Sequence, residues 1–189
     1  MALLTATEVT LYSNISASAI SVADSGLIPI IRDRIAMMTN NYFLTELDLQ
    51  DVMTFNQTAG TIVANNSFDE RNFLAGDDIY IYSSYRNDGY HTIASVSDKT
   101  LTITSSTTVI DELSGASILI SIVRWPLEVK MIAAQMIAYD YDVRPSKAAN
   151  VKSRSLGPFS ESFEDSNDQF GYPTSITDPL WKYRIARLM

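Results

Sequence analysis

The chain contains no cysteine and a single histidine, His91. Without thiols it can form no disulfide, no cysteine-ligated zinc or iron–sulfur site, and no thiol nucleophile. One imidazole is also a poor start for a transition-metal site, which draws on several nitrogen or sulfur ligands. Long hydrophobic runs are missing too. The longest, Ile118 to Val123, is broken by Ser121 and falls far short of the roughly 18 apolar residues that mark a membrane-crossing helix. The opening MALLTATEV has no basic segment and reaches Glu8 early, so no secretory signal peptide is expected. The sequons at Asn14, Asn56 and Asn65 then read as chance matches. GxxxxGK[ST], GxGxxG and G-x-S-x-G are all absent. Bases are scarce: 14 Lys and Arg against 22 Asp and Glu give a net charge of −8. Nucleic-acid affinity comes largely from cations that neutralise phosphates, so this chain is a poor candidate for wrapping DNA or RNA.

What is present suits one or two small domains, with 189 residues and 46% hydrophobic composition. Thr5-Ala6-Thr7-Glu8 fits a capping box, in which the Thr hydroxyl meets an amide of the first turn and Glu reaches back. A short helix with Val9 and Tyr12 follows. Asp24 or Ser25 can cap a second helix, with Pro29 in its first turn and Leu27, Ile31, Arg34, Ile35 and Met38 at helical spacing, ending near Asn40-Asn41.

From Asp51 the period changes to two. Val52 to Phe55, Thr61 to Ala64, Ile79 to Tyr82, Tyr90 to Val96, Leu101 to Thr104 and Ile118 to Val123 are short β-branched and aromatic runs. Turn signals separate them at Ala59-Gly60, Gly76-Asp77, Asn87-Asp88-Gly89, Asp98-Lys99 and Ser114-Gly115. In TLTIT, Leu101 and Ile103 alternate with three threonines, the pattern of a half-solvated antiparallel strand.

A helix then starts behind Pro126. Leu127, Met131, Ala134, Ala138 and Tyr141 form one apolar face, and Val129, Ile132, Ala133, Met136 and Ile137 an adjoining one. A helix apolar on two faces is usually sandwiched, and in so short a chain the second partner could be another subunit. Asp140 and Asp142 fall at this helix's end on different faces. They cannot pair as a carboxylate dyad, and are expected to be solvated or paired with Arg144 or a neighbour's base. Arg144-Pro145 ends the helix. The stretch from Val143 to Tyr172 is polar apart from Phe159, Phe163 and Phe170, with a turn at Gly157-Pro158. A second Pro-started helix is expected in YPTSITDPLWKYRIARL.

The order of an alanine-rich helix, the extended VKSRSLGPFSESF, a proline and a closing LWKYRIARL resembles the head-tail connector (adaptor, or head-completion) proteins of tailed bacteriophages. TATEVTLYSNIS is similar to that family's opening threonine-x-glutamate-valine helix, and Leu27 to Asn41 to its second helix. GDDIYIYSSYRNDGYHTIASVSDKTLTI also resembles a β-module found in phage virion proteins. The resemblance covers roughly the first 45 residues and the stretch from Trp125 onward. It implies an α+β fold in which a helical connector frame of about four helices, residues 1–46 and 124–189, carries an inserted small antiparallel β-barrel or sandwich, residues 47–123.

The function it implies is structural. The chain would form a homo-oligomeric ring, commonly twelvefold, in the virion neck, assembled in the host cytoplasm and joining the portal protein to the tail or a tail-completion protein. DNA would pass through the lumen without specific binding. Between Tyr42 and Tyr80 seven acids face one base, which suits either a solvated surface or the wall of such a passage. The expected intermolecular contacts are Lys152, Arg154, Leu156, Phe159, Phe163, Phe170, Trp181, Tyr183, Arg184 and Arg187, with Lys182, Arg184 and Arg187 meeting acids of a neighbour. No catalytic residue, metal ligand, cofactor or membrane contact is expected. His91 has only Asp88 close by in sequence, on a turn. Two other readings stay open. One is a tail-completion protein of the neck; the other is a carbohydrate- or single-strand-binding β-module that stacks ligands on Tyr80, Tyr82, Tyr85 and Tyr90.

Overall fold

The computed structural model describes residues 3–13, 15, 26–104, 109–113, 117–143, 153–156, 159–162 and 171–186. Backbone contacts divide the chain into two units, Met1–Leu3 with Tyr42–Trp125, and Leu4–Asn41 with Pro126–Met189.

The first unit is one antiparallel sheet. Its strands are β1 (Leu44–Val52), β2 (Thr54–Asn56), β3 (Thr61–Val63), β4 (Asp78–Tyr82), β5 (Gly89–Ser97), β6 (Thr100–Ile103) and β7 (Ser117–Val123), in the order β1-β7-β4-β5-β6-β3-β2. The nine-residue β5 bends the sheet into a half-barrel. Its first half pairs with β4 and its second half with β6, and a register shift between Ile93 and Ser95 separates the two. An extra residue at such a shift bends the strand and raises its local twist. Period-two alternation then sorts the side chains. Leu49, Ile79, Ile81, Ile93, Leu101, Ile118, Ile120 and Ile122 turn inward onto Phe55, Phe68 and Phe73, while Thr100 and Thr102 remain partly exposed.

The second unit contains α1 (Ala6–Ser13), α2 (Ile28–Thr39) and α3 (Leu127–Ala138), then a π turn (Tyr139–Val143), the hairpin β8 (Ser153–Leu156) and β9 (Phe159–Ser162), α4 (Thr174–Thr177), and a 3-10 segment (Asp178–Tyr183). Both α1 and α2 pack on α3. The capping box forms: the Thr5 amide donates to Glu8 Oε2 at 2.8 Å and the Glu8 amide to Thr5 Oγ1 at 3.2 Å. α2 closes on Asn40 in the left-handed conformation (φ 48°). Asn tolerates that conformation better than most residues.

The expected architecture, a helical frame bearing a small β-barrel or sandwich, is overturned. The helices do not dominate, and the β-structure is an open half-barrel rather than a closed barrel or sandwich. Two local causes account for the misreading. Residues 44–51 form most of the nine-residue edge strand β1, yet their acids have low β propensity and hid the leucine alternation. The closing helix is also interrupted. Pro179 has no amide to donate, so α-helical bonding stops after Thr177, the chain tightens into 3-10 turns, and it leaves extended at Arg184. The expected caps Asp24 and Ser25, and the turns at 114–115, 144–145 and 157–158, lie outside the described residues.

Candidate interaction surfaces

The helical unit is built around α3. Val129, Ile132, Ala133, Met136 and Ile137 are all buried, so the second of the two apolar faces is the core face. The other face divides. Ala134 is buried, whereas Leu127 (62% exposed), Met131 (42%) and Tyr141 remain open. At the N-terminal end of this open stripe the Glu128 carboxylate accepts a hydrogen bond from Tyr183 Oη at 3.0 Å and an ion pair from Lys182. Lys182 therefore has an acid within its own chain, whereas the sequence had suggested partners on an adjoining subunit or in portal carboxylates. The Arg184 guanidinium stacks 4.8 Å from the centre of the exposed Trp181 ring, and Ile185 is exposed beside it. The tail is held to α2 by the Ile185 amide on the Thr39 carbonyl (2.9 Å) and by Asn40 and Asn41 side chains on the carbonyls of Ile185 and Tyr183.

Of the interface residues expected from the sequence, Tyr183 reaches Glu128 beside this stripe, and Trp181 and Arg184 stack on one another in the C-terminal segment, which packs on α2. Arg154 and Leu156 lie on β8 and Phe159 on β9, where the backbone register sets residue 154 opposite 161 and 156 opposite 159. Lys152, Phe163, Phe170 and Arg187 lie outside the described residues. Two deep polar contacts hold the unit together, and the sequence announced neither. Lys130 lies on the buried side of α3, and its ammonium reaches Glu8 Oε1 at 2.8 Å. Burial pushes the Glu8 carboxyl up, but its bonds with Lys130 and Thr5 outweigh this and hold it below its ordinary value. Tyr172 is fully buried. It accepts from Arg34 Nη1 and donates to Asp140 Oδ2, both at 2.5 Å. Burial, with the Asp140 carboxylate beside it, pushes the Tyr172 phenol up to about 12, so it stays a donor. Asp140 is thus buried rather than solvated, with Arg34 as a base beside it; Arg144 lies outside the described residues.

On the β unit the four expected tyrosines separate. Tyr80 and Tyr82 share the outer face of β4, 4.4 Å apart between ring centres; Tyr90 lies edge-on to Tyr80 and Tyr42 covers Tyr80 at 4.6 Å. Burial pushes both the Tyr80 and Tyr82 phenols up to about 12. Tyr85 lies elsewhere, on the loop of residues 83–88. That loop is tied to residues 109–113 through two side chains. Glu112 accepts hydrogen bonds from the amides of Tyr85 (2.8 Å) and Arg86, from Ser84 Oγ and from Asn87 Nδ2. The buried Asn87 side chain in turn exchanges hydrogen bonds with the backbone of Ile110, at 3.0 and 2.7 Å. Glu112 also bridges to Phe55 in β2 through backbone bonds in both directions. Burial pushes the Glu112 carboxyl up, but the Tyr85 amide, Asn87 and Ser84 outweigh it and hold it below 4.5.

His91 and Asp88 each have a structural partner. His91 is buried on the inner face, with Nε2 3.0 Å from the Asn87 carbonyl, while Asp88 instead accepts the Ser84 amide. Among the described residues no cluster of three or more His, Asp or Glu is placed to hold a metal ion, and no helix is long and apolar enough to cross a membrane. No family model matches the chain, and no curated protein matches it either.

Proposed function

We propose that this protein is a structural virion protein that assembles as a homo-oligomeric ring at the neck of a tailed bacteriophage, joining the portal vertex to the tail and letting DNA pass. The observation that carries this reading is the exposed apolar surface of the helical unit, Leu127 and Met131 on α3 and Trp181 with its stacked Arg184 on the C-terminal segment. Aromatic and arginine side chains together with exposed aliphatics are the usual composition of an interface hot spot. The resemblance of residues 5–16, 27–41 and 125–189 to connector proteins supplies the assembly in which such a surface is covered. Eleven acids against four bases between residues 42 and 125 suit a wall past which DNA slides without sticking. The chain's role is mechanical, and no residue is assigned to catalysis.

The test is assembly. Purified protein, alone and mixed with its cognate portal, is examined by light scattering and negative-stain imaging. Closed rings, or a decorated portal, support the proposal; a monomer that ignores the portal refutes it. A second reading has one observation in its favour, the contiguous Tyr42, Tyr80 and Tyr82 cluster, which a glycan could stack on. Those rings already pack on each other, which leaves less face for a ligand, so the ring reading is preferred. Glycan-array binding lost in Tyr42→Ala, with no assembly, would reverse that preference.

A further inference from the structure

The outer face of the β unit carries a group of side chains that the ring reading does not use. Directly paired residues of neighbouring strands share a face, so one row crosses four strands: Asp48 on β1, Ser121 on β7, Tyr80 on β4 and Tyr90 on β5. Tyr82 lies two residues along β4 on the same face. Tyr42 lies over this row, 4.6 Å from Tyr80 and 6.4 Å from Tyr82 between ring centres, and at 40% it is the most exposed ring of the four. The next residue, Phe43, holds the left-handed conformation (φ 55°), which a bulky residue seldom adopts, while its own ring stacks on Trp125. Strain of this kind persists only where the surrounding structure fixes it, and it collects at binding sites.

Two carboxylates frame the rings. Asp48 is turned toward them, its Oδ1 accepting the buried Ser121 hydroxyl at 2.6 Å. Asp88 sits where the β4–β5 hairpin turns, with its Oδ1 on the Ser84 amide at 2.7 Å. Burial, then the neighbouring Tyr42, and last the nearby acid, Asp88 for Tyr80 and Asp48 for Tyr82, push both phenols up, so each carboxylate acts on the cluster. Among the described residues neither carboxylate has an ion-pair partner. The unit's arginines are placed otherwise: Arg71 donates to the Asp48 backbone carbonyl at 2.9 Å, Arg124 is held by Asp77, and Arg86 is exposed on the turn.

We propose that this face of the β unit docks an arginine-bearing segment of a partner protein, with one guanidinium on Tyr42 beside Asp48 and a second at Asp88. The rings pack on one another, which leaves little open face for a sugar. What they leave is one exposed ring framed by acids, in a unit with eleven acids and four bases between residues 42 and 125. A guanidinium is planar, stacks on an aromatic ring and forks onto a carboxylate, which an ammonium does less well. Strands lie about 4.8 Å apart, so three strand spacings set Asp48 and Asp88 roughly 14 Å from one another; two arginines four positions apart on an extended chain span about 13 Å. This site stands or falls separately from the ring reading.

The probe is a blocked five-residue peptide with arginine at both ends and glycine and serine between. Its controls carry lysine, or citrulline as the neutral isostere of arginine, at the same positions. Binding to the whole chain is followed by NMR through the ring protons of Tyr42, Tyr80 and Tyr82. The arginine peptide should shift those rings saturably and bind about threefold or more tightly than the lysine peptide, and the citrulline peptide should not bind. Tyr42→Ala leaves every charge in place and should weaken the arginine peptide about threefold or more, whereas Tyr42→Phe keeps the ring and should hold it. Asp48→Asn and Asp88→Asn keep a side-chain oxygen for Ser121 and Ser84, and each should weaken binding by a similar factor. If Tyr42→Ala melts early, the two Asn variants and the citrulline comparison still decide. The proposal is overturned if the lysine or citrulline peptide binds as well as the arginine one, or if Tyr42→Ala binds as wild type does. Glycan binding at these tyrosines without peptide binding also overturns it. So does self-association that Tyr42→Ala abolishes with no peptide bound, which would assign the face to a second copy. Portal binding is read in a different assay, so failure here leaves the ring reading standing.

Discussion

Lys130 and Glu8 give the sharpest test of how the helical unit is held. The Lys130 side chain is 6% exposed and that of Glu8 23%, with 2.8 Å between ammonium and carboxylate. Stranding one member of a buried pair costs about 3–5 kcal/mol, and the water that reaches Glu8 trims this to roughly 2–3 kcal/mol. Glu8→Gln should cost that much, because it leaves a buried ammonium without its anion while an amide oxygen can still cap Thr5. Glu8→Ala should lose about 1 kcal/mol more with the cap. Lys130→Met behaves differently. It keeps the stem volume and removes the ion that needed a partner, while Glu8 remains partly solvated and still caps α1. Its cost should stay within about 1 kcal/mol, and the double variant Glu8→Gln, Lys130→Met should recover most of the loss.

Denaturant unfolding followed by helical ellipticity measures all four proteins, and the thermal midpoint of Glu8→Gln should fall by roughly 5–10 °C. The pH dependence follows from the lowered Glu8 pKa. A depressed carboxyl contributes stability that is present above its ordinary 4.5 and is lost as pH falls through the lowered value. Glu8→Gln should flatten that part of the curve. If Lys130→Met costs as much as Glu8→Gln, or Glu8→Gln is neutral, the ion pair does not anchor α1 to α3.

Three further outcomes follow from other contacts. Tyr172→Phe removes the hydroxyl between Arg34 and Asp140 and should cost about 1–3 kcal/mol in the same unfolding assay; a neutral result would mean that water replaces it. Glu112→Ala strands amides of the 83–88 loop and should speed amide hydrogen exchange at Tyr85 and Arg86 while the protection of β4 and β7 holds; unchanged exchange would show that the brace is not what orders the loop. Asp51 accepts the amides of Asn65 and Asn66 at 2.7 Å, and these bonds overcome burial to hold it below 3.8, so its contribution also disappears as pH falls below that value, and Asp51→Asn should lose that acid-dependent component.

Periodicity and caps were legible because they are local. Thr5 to Glu8 announced a capping box, and it formed with the expected bonds. Leu101 and Ile103 alternated with threonines, and they are the buried residues of β6. The core face of α3 was readable as one of two candidates, but nothing in the sequence said which candidate would be buried. β1 was missed because Glu46, Asp48 and Asp51 weaken the β signal, and an edge strand tolerates such acids when a central strand would not. The polar anchors were invisible for another reason. Lys130 and Glu8 are 122 positions apart, and Tyr172 and Asp140 are 32 apart. Only the fold brings them together. Glu112 looked like one acid among many; its carboxylate matters because a register in β2 brings it to the 83–88 loop.

Asp77 and Asp78 show how the β unit closes on its own chain ends. Asp77 ends the turn before β4 and Asp78 opens the strand, and the two acids reach different partners. Asp77 takes the Arg124 guanidinium in two contacts, at 2.8 and 3.3 Å. Asp78, buried, accepts the Leu3 amide at 3.0 Å, the Trp125 indole at 3.1 Å and the Thr92 hydroxyl at 2.7 Å. Leu3 and Trp125 are the positions at which the chain leaves this unit. Its third crossing lies beside them: Leu44 pairs with Val123, and the Arg124 amide donates to the Phe43 carbonyl at 2.9 Å. Phe43 and Trp125 stack with their ring centres 4.8 Å apart. A long excursion costs little extra loop entropy once its ends are fixed together, about 0.6 kcal/mol per doubling of length. In this chain strand pairing and the Phe43–Arg124 bond hold the two ends of the β segment together. Two adjacent carboxylates, whose sequence context of a glycine followed by two acids looks like an ordinary turn, tie Leu3, Arg124 and Trp125 to the sheet.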